Sequence, residues 1–202
     1  MKSLKVLSPQ WLFMMISMLI VSCQTDSVDT SLDQQSKQTS IYETLITARS
    51  GNAPGNTPIA AIAIDAGFNE LVNALMYVDS ELDAGLVDLF LNGTDQYTVF
   101  APTDDAFFAL YDALSVSDIT EVDAQLVLNV LLYHVTEGRR SSNSVVPKKN
   151  NKTIETLLGE TFQVTPNLEI IAIGNSANIE AADITASNGV IHVIDGVILP
   201  IE

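Results

Sequence analysis

From residue 59 to residue 91 the large apolar residues recur three and four positions apart. From residue 161 to residue 199 they alternate with polar ones. The first period is that of a helix with one buried face, the second that of a half-buried strand. Residues 59–66 and 68–78 read as two helices joined at Gly67, with Phe68, Leu71, Val72 and Leu75 on one face. Residues 86–91 form a shorter helix that stops at Asn92-Gly93. Residues 97–101 are rich in β-formers and read as a strand, ended by Pro102, which has no N–H to give to a ladder. Thr103 is placed to cap the next helix through its hydroxyl, and Asp104 and Asp105 suit the positive end of that helix. Phe107, Leu110, Tyr111 and Leu114 make its inner stripe.

Residues 122–133 are apolar on most sides, which predicts a central, largely buried helix. Gly138 stops the chain there. Strands follow at 161–165, 168–173, 177–181, 190–194 and 197–199. Asn188-Gly189 and Asp195-Gly196 stand at junctions, and both pairs suit the positive φ angles of tight turns. Helices first and predominantly antiparallel strands after make an α+β arrangement.

The chain before residue 58 has a different character. Lys2 and Lys5 precede an apolar run at 11–21, broken only by Ser17. That run falls short of the roughly 20 residues needed to span a bilayer and has the layout of a secretory signal. It ends in Ile20-Val21-Ser22-Cys23, which resembles the bacterial lipobox, in which the cysteine becomes the lipidated first residue of the mature chain. Cys23 is the only cysteine, so no disulfide can form within the chain. Residues 23–57 carry mostly Ser, Thr, Gln, Asp and Asn and read as a flexible tether. Within it Ile41, Leu45 and Ile46 have the spacing of a short docking helix. Residues 52–56, Asn-Ala-Pro-Gly-Asn, are turn chemistry and mark the start of one domain at 58–202.

Charge narrows the partners. The formal net charge is -16, and removing residues 1–22 takes away two lysines and no acid, giving -18. Such a chain repels nucleic acid and anionic membrane surfaces. Attachment to a membrane would come from lipid on Cys23, in the cell envelope and on its outer membrane. Lys148, Lys149 and Lys152 form one basic patch in a loop at 141–153.

Little in the chain suggests catalysis. His134 and His192 are the only histidines. A zinc site built on them lacks further ligands at suitable spacing. The cluster Asp79, Glu81, Asp83 and Asp88 lacks the spacing and glycine turn of an EF-hand loop. No GxSxG elbow is present. His134 reads as a core residue whose ring nitrogens satisfy backbone groups and pin a helix to a strand. His192 shares a strand face with Val190 and Ile194, either packed or turned to solvent. The reading is a non-enzymatic chain without a cofactor.

Three segments, in this order and spacing, resemble the fasciclin-like domain: 97–107 (YTVFAPTDDAF), 131–135 (LLYHV) and 186–200 (ASNGVIHVIDGVILP). The resemblance runs over residues 58–202. It implies a β-sandwich or wedge of about seven strands with packed helices, and a role as an extracellular adhesion and binding module. It further implies that Thr103, Asp104, Tyr133, His134, Asn188, Gly189, His192 and Asp195 are motif residues serving structure or adhesion. In animal matrix members an Asp-Ile pair ahead of the final Asn-Gly segment is a proposed integrin-recognition peptide. Asp183-Ile184 occupies that place here, with Ala181 and Ala182 where the animal motif has Glu-Pro. The expected partners are proteins or glycans, met through loops near 103–105 and 141–153. A different expectation is a small-molecule or lipid carrier with an apolar cavity in the same domain.

Overall fold

The computed structural model describes residues 55–201. Cys23, the tether and the docking-helix residues Ile41, Leu45 and Ile46 lie outside the described residues. Three helices open the fold: α1 (Ile59–Ala66), α2 (Asn69–Leu82) and α3 (Leu86–Asn92). Strand β1 (Tyr97–Pro102) leads into α4 (Asp104–Leu114), a 3₁₀ turn (Ile119–Glu121) and α5 (Ala124–Tyr133). After these come β2 (Val135–Glu137), a one-turn α6 (Ser142–Val145), β3 (Lys152–Glu155), β4 (Thr161–Val164), β5 (Glu169–Ile171), β6 (Ser176–Ala186) and β7 (Gly189–Ile194).

The seven strands form one mixed sheet in the order β2-β1-β7-β6-β5-β4-β3. Only β1 and β7 run parallel, pairing Phe100 with His192; the other pairings are antiparallel. The two ends of the sheet approach each other: just past β3, the N–H of Leu157 donates to the carbonyl of Val135 in β2 at 2.8 Å. Every residue of β7 is buried, because both faces of this strand are covered. One face packs Ile191 and Val193 against the helices. The other turns Phe100 and Ile194 toward Ile154, Phe162, Val164, Ile170 and Ile179 in a second core inside the folded-over sheet.

Several expectations need correction. Residues 135–137 and 152–155 are strands, and α6 lies inside what reads as a loop at 141–153. These short segments carry too few residues for a period to show. Residues 197–199 are not a strand. There, side chains replace the ladder: Asn175 Nδ2 donates to the carbonyl of Val197 at 2.7 Å, and the N–H of Leu199 donates to Asn175 Oδ1 at 2.9 Å. Neither Gly189 nor Gly196 has a positive φ. Gly189 is needed for closeness instead, since a Cβ there would stand 2.1 Å from the Tyr97 carbonyl oxygen and 2.7 Å from Ile59 Cδ1. Leu114, expected on the inner stripe of α4, is 49% exposed. Helix α5 is less enclosed than its composition suggests, with Leu126, Leu128, Val130 and Leu132 only half-buried.

A candidate site around His134 and the helix caps

His134 follows the last turn of α5 and is fully enclosed. Its Nδ1 is 2.7 Å from the carbonyl of Val130, and its Nε2 receives the N–H of Ile198 at 3.0 Å. The ring is therefore the neutral Nδ1–H tautomer, tying the end of α5 to the segment after β7. Burial pushes its pKa down to about 4, with the Val130 hydrogen bond opposing only in part. Next to it, the Tyr133 hydroxyl donates to the carbonyl of Thr161 at 2.9 Å. Its ring meets Phe162 edge-on, with centroids 5.8 Å apart. The Tyr-His pair thus faces opposite ways, His134 toward the helix-side core and Tyr133 into the folded-over sheet.

His192 carries the complementary tautomer. Its Nε2 is 2.9 Å from the carbonyl of Arg140, while Nδ1 accepts the N–H of Asp183 at 3.3 Å. Burial lowers its pKa too, against the pull of the Arg140 carbonyl and the Asp183 charge. Of the two alternatives for this strand face, packing is the outcome: the ring lies 5.4 Å from that of Phe100. With both nitrogens of both imidazoles bonded to backbone, neither ring offers a lone pair to a metal or a proton in transfer. Among the described residues, no three His, Cys, Asp or Glu side chains are grouped as metal ligands would be.

Three further motif residues, Thr103, Asp104 and Asn188, share one task. Helices α1, α2 and α3 begin at Pro58, Phe68 and Gly85, none of which caps with its own side chain. Each is capped from elsewhere. Buried Asn188 accepts the N–H of Ile59 on Oδ1 at 2.8 Å and donates from Nδ2 to the carbonyl of Phe90 at 2.9 Å. Asp104 accepts the N–H of Glu70 at 2.9 Å and the amide of Asn69 at 2.8 Å. Its carboxylate thus serves α2 as well as sitting at the head of α4. Asp79 accepts from the N–H groups of Leu86 and Val87, both at 2.8 Å; this acid of the 79–88 cluster is a helix cap. Thr103 does cap its own helix, accepting the N–H of Ala106 at 3.3 Å. Such caps satisfy the orphan donors at helix starts. Residues 103–105 are consequently a junction between helices rather than a free loop.

Asp195 accepts the N–H and side-chain amide of Asn178 at 2.6 and 2.9 Å, fastening the start of β6. Asp183 lies at an irregularity of β6 with φ of 66°. Its carboxylate accepts the N–H of Ser142 at 2.6 Å and also the Ser142 hydroxyl, holding the start of α6. Ile184 is 2% exposed and belongs to the helix-side core. Lys152 of the basic patch reaches the carbonyl of Ser144, while Lys148 and Lys149 are exposed.

One feature that no motif announces is a hollow of about 90 Å³ between α2, α4, the 3₁₀ turn, α5 and the final segment. Buried Leu71, Phe107, Ile119, Val127, Leu131 and His134 form its floor. Half-buried or exposed apolar residues form its rim. The signal in the sequence is the surplus of apolar residues on α5, more than one buried face requires. A smaller hollow of about 30 Å³, toward Ile59, Leu75 and Phe90, shares Leu71, Leu131 and His134 as its wall.

A sequence model of the fasciclin domain matches residues 66–200. Protein sll1483 of Synechocystis is 35% identical over 150 residues, covering 73% of this chain and 77% of that one. The cell surface glycolipoprotein MPB83 of Mycobacterium bovis is 35% identical over 118 residues, 58% of this chain and 49% of its own length. Among solved structures, the FAS1 domain pair of the insect cell adhesion molecule fasciclin I superposes with a TM-score of 0.52 at 15% identity. That match covers 72% of this chain and 51% of the other, and at this identity the likeness speaks for the fold. The family model spans most of the described residues and the seven-stranded fold agrees with it, and the chain belongs to the fasciclin-domain family.

Proposed function

We propose that the protein is a non-enzymatic adhesion or binding module of the bacterial cell envelope, anchored by lipid on Cys23. One observation carries the non-enzymatic part: both histidines spend both ring nitrogens on backbone groups, and Asp104, Asp183 and Asp195 spend their carboxylates on the starts of α2, α6 and β6. What remains outward is shape and charge, the material of recognition by contact. The similarity to a cell surface glycolipoprotein and the fold of a cell adhesion molecule support surface display and adhesion. Among the described residues no helix is long and apolar enough to cross a membrane; the attachment proposed here is the lipid on Cys23. Several acyl chains would be needed, because one chain binds only reversibly.

The test has two arms. Mass spectrometry of the mature protein should find an acylated Cys23 as its first residue; a free thiol there removes the anchor. Arrays of glycans and matrix proteins should show saturable binding by the purified protein; failure on every class removes the adhesion role.

The second reading, a carrier, draws on the apolar hollow. Its size is the difficulty: ligand pockets run to roughly 300–1,000 Å³, several times the space found here. The hollow suits part of a molecule better than a whole one.

A further inference from the structure

We propose that the hollow beside His134 receives one large apolar side chain from a basic segment of a partner protein. The inference rests on the adhesion reading above and names the surface it uses. The first argument is volume. A fully apolar cavity of about 150 Å³ holds benzene, so about 90 Å³ admits a single side chain and not a free lipid or cofactor. Hot spots at protein interfaces are built this way, with an anchor in a pocket and a ring of weaker contacts excluding water.

The second argument is the rim. Leu114 and Ile201 are 49% and 51% exposed, and Leu110, Val122, Leu126 and Val130 are half-buried around the same opening. An apolar ring of this kind around the opening is the surround that an anchoring side chain needs to exclude water.

The third argument is charge. Exposed Asp118, Glu121 and Asp123 are sequence neighbours of the rim and floor residues Ile119 and Val122, and exposed Asp112 lies between Leu110 and Leu114. All five basic residues of the described part fall between Arg139 and Lys152, and none lines the hollow. The complement of an apolar hole in an acidic field is an apolar anchor flanked by lysine or arginine. A second copy of this chain, acidic itself, does not fit that description.

The purified full-length chain, immobilised on a sensor surface, is offered three synthetic peptides of about fifteen residues. One is lysine-rich with a central leucine, one has alanine in its place, and one is glutamate-rich with the leucine kept. The lysine-leucine peptide should bind at least about tenfold more tightly than either other, a difference of about 1.4 kcal/mol. Raising salt from about 50 to about 500 mM should weaken it, since screening shortens the reach of the rim charges. Leu114→Arg and, separately, Ile201→Arg should abolish binding with the melting temperature unchanged, as both positions are exposed. Equal binding of the alanine or glutamate peptide overturns the proposal, as does full binding by both arginine variants. Tight uptake of lauric acid that displaces the peptide also overturns it, in favour of a carrier. Array binding that survives in both arginine variants would sink this surface while leaving the adhesion reading in place.

Discussion

His134 and Ile198 are joined by a hydrogen bond in which the imidazole Nε2 accepts a backbone N–H at 3.0 Å, across 64 positions of sequence. A protonated imidazole has no lone pair to accept with, so this link exists only in the neutral ring. The folded protein holds His134 neutral down to about pH 4, whereas an unfolded chain protonates it near pH 6.5. Above about pH 6.5 the stabilisation is complete. Between about pH 6.5 and about pH 4 the unfolded state takes up a proton that the folded state refuses, and stability falls by about 3 kcal/mol. Urea denaturation across that range should show the decline, and His134→Asn should reduce it to the part owed to His192, whose pKa burial also lowers. At neutral pH, His134→Ala should cost about 1–3 kcal/mol through the lost bonds and an enlarged hollow.

Asn188→Ala removes two buried bonds at once and leaves the Ile59 N–H and the Phe90 carbonyl without partners. A loss of about 2–4 kcal/mol is expected, because each orphaned buried group carries its desolvation cost. Hydrogen exchange should show α1 opening more often, well beyond the change in the sheet.

Gly189→Ala places a methyl where the Tyr97 carbonyl stands. Since the obstacle is backbone in the paired strand β1, it cannot swing aside as a side chain would. Destabilisation of about 3 kcal/mol or more is expected from this overpacking. Gly67→Ala, where a Cβ would meet nothing within 4 Å but φ is 79°, should cost only about 1 kcal/mol, the penalty of the left-handed backbone. Thermal melts of the two variants compare closeness with conformation directly.

Asp104 and Asp105 are adjacent and equally placed for the α4 dipole, yet only Asp104 receives the Glu70 N–H. Asp104→Ala should therefore lower stability by about 1–2 kcal/mol as a lost cap, and Asp105→Ala by no more than about 0.5 kcal/mol. Equal losses would mean that the capping of α2 is immaterial.

Periodicity reveals in this sequence what is local. The helices read at 59–66 and 86–91 and the strand read at 97–101 are legible because their apolar spacing repeats over enough residues, although the strand runs through Pro102, which pairs with Ile194, instead of stopping before it. Strands β2 and β3 escape, having three and four residues and owing their conformation to neighbours far away in sequence. The caps escape for a related reason. Asn188-Gly189 looks like turn chemistry, and only the folded chain shows that Asn188 reaches 129 positions back to Ile59. His134 is readable as a core residue satisfying backbone groups, while its partner Ile198 is not. The hollow was hidden for the opposite reason: apolar residues on α5 imply burial, and composition does not say whether the cover comes from this chain or from another.

The parallel pairing of β1 with β7 has a consequence for how the protein is made. Its most enclosed strand, β7, is synthesised about ninety positions after β1, and the bond that secures α5 comes later still, at Ile198. Until those residues emerge, β1 and the helices have no centre to close upon, and contacts spanning about a hundred positions form slowly. A polypeptide of this design condenses only once β7 and the segment after it have been made. For the envelope protein proposed above, late completion would keep the chain exportable.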